Sequence, residues 1–192
     1  MSRNLLIMAV VALVAASGGY FLAKALNLSS GTGGPGVGMK VSDATPAPAS
    51  EDLLGQRRPD FTLNDTAGQP VSAGDFDGHV WLLNFWATWC APCVEEMPML
   101  SQLQQDYAGR GLKVVGIALD DADRAREFAA GMGIKYPVLV GQADVVLTGR
   151  RYGNLTGMLP FSVLVDAEGL VRWTHLGALT RKDLEHQIKS LR

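Results

Sequence analysis

The stretch that most restricts this chain is "HVWLLNFWATWCAPC", residues 79–93, where an unbroken apolar run gives way within a few residues to a Cys-x-x-Cys pair. A continuous run rich in Trp, Leu and Phe reads as a central strand covered on both faces. The residues that follow, from about Cys93 to Tyr107, read as a helix stopped by Gly109 at a C-cap. A buried strand that delivers two cysteines to the start of a helix leaves few alternatives for their chemistry.

Cys90 and Cys93 are the only cysteines in 192 residues. A structural disulfide gains by closing a long loop in the unfolded chain, and a bridge across two residues closes almost nothing. Structural zinc needs four ligands, and the three histidines are scattered at His79, His175 and His186. Covalent haem attachment wants His directly after the second cysteine, where this chain has Val94. A pair that exchanges disulfides is the remaining reading. Free N–H groups and the dipole of a first helical turn stabilise a thiolate there. Pro92 forfeits only an N–H that has no intrahelical partner. Cys90, expected at the exposed edge, is then the nucleophile, and Cys93, one turn in and facing the protein, resolves the mixed disulfide. Trp86 and Trp89 are candidates for an apolar rim, Trp89 being the stronger.

The rest of the folded part alternates strands and helices. "FTL" and a turn-rich "NDTAGQPVSAGDFDG" give two short strands; "LKVVGIAL" is a buried strand and "DADRAREFAAGMG" a helix with a glycine stop. "YPVLV" is a short strand and "ADVVLTGRRYG" a short helix. "FSVLVDAEGLVRWTH" reads as a hairpin turning at "DAEG". The closing "TRKDLEHQIKSLR" is a helix whose Thr180 and Asp183 sit at capping-box spacing, with Leu184, Ile188 and Leu191 as its apolar stripe. This order argues an α/β fold with a mixed sheet.

Upstream, residues 4–23 carry no charge. As a helix they would span about 30 Å, the hydrocarbon thickness of a bilayer. We expect residues 1–28 to form an uncleaved membrane anchor, although "VAAS" near Ser17 offers small residues for a signal peptidase. Arg3 near the amino terminus places the following chain outside the cytoplasm by the positive-inside rule, with Lys24 opposing. Residues 29–54, rich in Gly, Pro, Ser, Thr and Ala, read as a flexible linker. The folded unit is expected over 55–192. A formal net charge of −2 and the lack of any long Lys/Arg run argue against a nucleic-acid partner.

"FWATWCAPC", Pro98 five residues past Cys93 and "LPFSVLVDAEGLV" together resemble the thioredoxin superfamily, and within it the membrane-anchored TlpA/ResA/CcmG-type thiol–disulfide oxidoreductases. The resemblance spans essentially all of 55–192. It implies a three-layer fold with a central mixed sheet flanked by helices and a helix kinked at Pro98. It also implies a cis peptide before Pro160, with Leu159 offering an edge to an extended substrate, and a substrate-facing Pro92. Thioredoxin has a buried acid where this chain has Asn84. The resemblance gives proton handling to Glu96, whose neighbour Glu95 is expected to be solvated. The stretch from Gly133 to Gly153 stands where this branch carries an additional strand and helix. The two thiols carry the electrons, so neither a cofactor nor a metal is expected. Implied partners are disulfide-bearing clients, such as apocytochrome c or copper-site assembly factors, and a membrane electron donor of the DsbD/CcdA type. The implied location is the bacterial inner membrane, with the soluble domain in the periplasm.

Two rivals share these residues. A copper relay would use Cys90, Cys93 and His175, with Met97 and Met99 as nearby thioethers; helical methionines are ordinarily core filling. A thiol peroxidase shares the general fold but places its resolving cysteine far from the first. "DDADRAR" reads as a solvated helix start, "GRRYG" as a surface turn, and His79 and His186 as surface residues.

Overall fold

The structure, a computed structural model, describes residues 53–191. The expected anchor and nearly all of the expected linker lie outside them. Among the described residues no helix is long and apolar enough to cross a membrane.

Seven strands form one mixed sheet: β1 (Thr62–Asp65), β2 (Pro70–Ser72), β3 (Val80–Trp86), β4 (Leu112–Leu119), β5 (Val138–Gly141), β6 (Phe161–Val165) and β7 (Val171–Leu176). Their spatial order is β2-β1-β5-β4-β3-β6-β7. Four helices complete the fold: α1 (Ala91–Tyr107), α2 (Ala122–Gly131), α3 (Ala143–Arg151) and α4 (Arg181–Ser190). β3, the apolar run of the sequence, lies between β4, which it pairs in parallel, and β6, which it pairs antiparallel. Core side chains pack on both of its faces, as its lack of alternation requires. The stretch after Gly133 forms β5 and α3, and β6 and β7 make the expected hairpin.

Period-two geometry splits the core in two. Leu82 and Trp86 point to one side, joining Met97, Leu100 and Leu103 of α1, Ala125 of α2, and Leu184 and Ile188 of α4. Trp81, Leu83 and Phe85 point to the other, joining Val145 of α3 and the amino-terminal Phe61, Leu63 and Phe76. Both cysteines belong to the first core. Leu53 is buried in the second, so packing reaches two residues upstream of the expected boundary.

Two caps differ from expectation. The left-handed residue after α1 is Gly111 (φ 81°), because a 3-10 turn over Ala108–Arg110 absorbs Gly109 first. At α4, Thr180 Oγ1 accepts from the Asp183 N–H, but the Asp183 carboxylate takes the Thr180 hydroxyl. Aspartate is one methylene shorter than the glutamate of a full capping box.

Candidate redox site

β3 ends at Trp86, and a short turn carries the chain into α1. The Cys90 N–H bonds the Ala87 carbonyl at 3.1 Å, and the Cys90 carbonyl accepts the first helical bond, from Val94 N–H at 3.1 Å. Cys90 is thus the N-cap residue. The N–H groups of Ala91 and Cys93 lack acceptors within the helix, while Pro92 has none to satisfy. The two sulfurs form a disulfide, S–S 2.03 Å, with Cα atoms 5.3 Å apart.

The expected exposure of Cys90 is corrected: it is 6% exposed, against 0% for Cys93. The turn that bonds it to Ala87 tucks its side chain into the α1-side core. Trp89, by contrast, is 66% exposed. Trp86 is no rim residue. It lies fully buried against Phe128 of α2, ring centroids 6.0 Å apart. The gap it fills exists because residue 116 is glycine. A Cβ there would stand 2.9 Å from Trp86 Nε1 and 3.0 Å from Tyr136 Cε2.

Glu96, one turn beyond Cys93, is only 4% exposed, while Glu95 faces solvent. One carboxylate oxygen, Oε1, accepts from Asn84 Nδ2 at 2.7 Å. The other, Oε2, accepts from the Leu179 N–H, just before α4, at 2.6 Å. Asn84 Nδ2 also donates to Ser162 Oγ at 3.0 Å, and Ser162 is its register partner on β6. Burial pushes the Glu96 carboxyl above the usual carboxylate range; the bonds from Leu179 and Asn84 work against that rise. The buried acid position of thioredoxin thus holds an amide here, and a carboxylate reaches the same layer from the helix.

Pro160 opens β6 after a cis Leu159–Pro160 bond. Phe161 pairs with Phe85, which places Pro160 level with the end of β3, where the cysteine turn begins. Leu159 packs against the core cluster that holds both cysteines. Pro92 is exposed, and so is Met158, which precedes Leu159. α1 contains Pro98, whose missing N–H leaves the Val94 carbonyl without its helical donor.

Asp120 departs from the solvated helix start expected over "DDADRAR". It is buried at the end of β4 and holds the turn before Cys90. Its Oδ2 accepts from Thr88 N at 3.0 Å and from Thr88 Oγ1 at 2.5 Å. Asp121 N–H and the Arg124 guanidinium, at 3.0 and 3.3 Å, take its Oδ1. Burial works to raise its proton affinity, but these donors prevail and hold the carboxyl below the usual range. The detectable signal was placement: an acid directly after a buried strand, beside the strand that carries the cysteines. Only Asp121 of this run behaves as a plain cap, accepting from Asp123 and Arg124 N–H groups.

The copper set is not assembled. Among the described residues no three His, Cys, Asp or Glu side chains gather in a way that could hold a metal ion. His175 on β7 stacks on Trp173, centroids 5.2 Å apart, and lines an open groove of about 920 Å³ along α4 that contains neither cysteine. Met97 is fully buried and Met99 packs against the same core. Arg150 and Arg151 end α3 as helical residues rather than forming a surface turn. His79 is half-buried, and His186 is exposed.

A disulfide at the N-cap of a helix that leaves the central strand of this sheet, with a cis-proline level with it, defines a thioredoxin-like thiol–disulfide oxidoreductase centred on Cys90 and Cys93. Comparison with known proteins gives the same class. Residues 54–174 match the AhpC/TSA family, and the chain belongs to that thioredoxin-like family. It is 32% identical over 139 residues to the thiol-disulfide oxidoreductase ResA of Bacillus thuringiensis, covering 72% of this chain and 78% of that protein. It is 33% identical over 138 residues to the thioredoxin-like protein YneN of Bacillus subtilis, covering 70% and 78%. Among solved structures, a thioredoxin-family thiol:disulfide interchange protein of Chlorobium tepidum is similar at TM-score 0.62 and 31% identity, over 78% of this chain and 99% of the other.

Proposed function

We propose that this chain is an extracytoplasmic reductant, tethered by its amino-terminal apolar segment, that passes two electrons to the disulfides of client proteins. The observation that carries the exchange chemistry in this reading is the Cys90–Cys93 pair at the N-cap of α1, with the Glu96 carboxylate buried one turn behind Cys93.

In the reduced form, the Cys90 thiolate attacks a client disulfide. A Cys90–client sulfur bond forms, and the client's other sulfur leaves as a thiolate. Cys93 then gives its thiol proton towards Glu96, and its sulfur attacks Cys90 Sγ. The Cys90–Cys93 disulfide forms, and the second client sulfur departs as a thiolate that collects the proton. The client gains two electrons and the enzyme loses two. A membrane donor of the DsbD/CcdA type would return them. Trp89, Pro92 and Leu159–Pro160 would seat the client. Supporting this, Trp89, Leu155, Met158 and Leu176 are apolar side chains left exposed, with Met158 and Leu176 close in chain and register to Pro160 and Phe161. The backbone beside Leu159 would offer an edge to an extended segment. Clients of this chemistry include apocytochrome c before haem attachment and copper-site assembly factors.

The test is the reduction potential of Cys90–Cys93, measured by thiol alkylation in graded dithiothreitol buffers. A value near that of thioredoxin, about −270 mV, supports the reductant. A value near that of DsbA, about −120 mV, makes the protein a disulfide donor and overturns the direction.

A further inference from the structure

We infer that Gly177 is a positioning residue for Glu96. The short loop it opens, Gly177 to Leu179, is fastened at one end to Pro160 and at the other holds the Glu96 carboxylate by a backbone N–H. The inference rests on the reading of Glu96 as the proton-handling group and adds the residue that sets that group in place.

Two hydrogen bonds and one buried side chain fix the loop. At its start the Gly177 N–H donates to the Pro160 carbonyl at 2.9 Å, one position beyond the Phe161–Leu176 pair that ends the β6–β7 ladder. At its end the Leu179 N–H donates to Glu96 Oε2 at 2.6 Å. The Leu179 side chain is buried in the core cluster that contains Cys90 and Cys93, and Thr180 then caps α4. Between these anchors the chain turns through residues 177 and 178 alone, with Ala178 exposed. Gly177 carries a φ of 107°, in the region that L side chains rarely adopt. Space does not demand glycine here: a Cβ would meet nothing nearer than His175 Nε2, at 3.9 Å. Conformation does. A side chain at 177 drives φ towards negative values, and rotation about that N–Cα bond swings the residues after it, the Leu179 N–H among them.

The swing is readable at Glu96. Burial raises the proton affinity of its carboxyl, and the Leu179 N–H and the Asn84 amide are the two donors that work against the rise. Asn84 sits within β3 and also donates to Ser162 of β6, so the sheet fixes that donor. The loop fixes the other. The neighbouring titratable groups bring no competing change. Tyr136 stays a neutral phenol, held so first by burial and then by the Glu96 charge. Cys90 and Cys93 are joined as a disulfide, Glu95 faces solvent, and Arg181 at the start of α4 is paired with Asp106 and Glu185. Because the loop begins on Pro160, the client seat and the acid share three residues of backbone.

The experiment is an NMR pH titration of the oxidised, full 192-residue chain in detergent. It follows the Glu96 carboxyl carbon and the Leu179 amide in the wild type, Gly177→Ala and Gly68→Ala. Gly68 has a φ of 81° with open space around it, in the β1–β2 turn at the opposite edge of the sheet from β7. It therefore matches the backbone strain of Gly177 away from Glu96. The wild-type Leu179 amide should titrate with the midpoint of the Glu96 carboxyl. In Gly177→Ala that midpoint should move to higher pH and the Leu179 amide should lose its hydrogen-bonded shift. In Gly68→Ala both should keep their wild-type values. Gly177→Asn, whose side chain tolerates positive φ better, covers the case in which the alanine variant does not fold, and should give a smaller shift in the same direction. A Glu96 midpoint unchanged in the folded Gly177 variants, or moved equally by Gly68→Ala, overturns the inference. The pH profile of mixed-disulfide resolution tests the underlying reading separately, and in Gly177→Ala it should shift with the carboxyl. A carboxyl that moves while the profile stays removes Glu96 from proton handling and leaves its positioning by Gly177 intact.

Discussion

Thr88 gives both of its donors, backbone N–H and hydroxyl, to one oxygen of Asp120, across 32 residues of chain. The turn that presents Cys90 is thereby tied to the end of the neighbouring strand. Asp120→Ala leaves the Thr88 N–H without its acceptor, and we expect a loss of about 1–3 kcal/mol in urea unfolding at neutral pH. The sign with pH follows from a folded proton affinity held below its unfolded value. The contribution is present above the ordinary aspartate range and fades as pH falls through the depressed folded value. The wild type and Asp120→Ala should therefore converge in acid.

Glu96 has the opposite sign. Its folded proton affinity lies above the unfolded one, so the folded state holds this proton longer. Stability is complete below the ordinary glutamate range and declines as pH rises through the raised folded value. Glu96→Gln removes that decline. Measured as urea midpoints across a pH series, the variant should gain on the wild type with rising pH.

Gly116→Ala drives a methyl group to 2.9 Å from Trp86 Nε1 and 3.0 Å from Tyr136. Neither ring is a flexible chain end that can swing aside. Overpacking of this kind costs about 1–3 kcal/mol, which thermal or urea unfolding would register.

Cys93→Ser should accumulate a stable mixed disulfide between Cys90 and a disulfide-bearing peptide, visible by mass spectrometry. Cys90→Ser should form none. An adduct on Cys93 of the Cys90→Ser variant, at the rate of the first, would overturn this assignment of roles.

Trp89→Ala should change stability by no more than about 0.5 kcal/mol, because the side chain is 66% exposed. Exchange with a small dithiol should be unaffected, whereas exchange with a folded disulfide protein should slow. Equal slowing for both substrates would count against a client-seating role.

Much of the architecture was legible because the physics behind it is local. An unbroken apolar run could only be β3, and the hairpin announced itself through "DAEG", where Gly169 takes a positive φ of 80°. The cysteine pair was legible by exclusion: a bridge across two residues closes too short a loop for a staple, the sequence has no further cysteine for a zinc site, and Val94 stands where haem attachment needs His. What sequence did not carry was direction. Trp86 and Trp89 are three residues apart with the same side chain, yet one is fully buried and the other exposed, because β3 ends between them. Asp120 and Asp121 are adjacent acids, one pinning the cysteine turn and one capping α2. The burial of Cys90 likewise depends on how the turn from Ala87 closes, which composition does not encode.

One of the two bonds that fix Glu96 comes from the backbone of residue 179. Every amino acid except proline brings that same N–H, so drift at this position could exchange one apolar side chain for another without touching the carboxylate. A tally of which residues relatives retain would rate position 179 by its core packing alone. The contribution to the acid is written in the path of the main chain, and only a proline there would erase it.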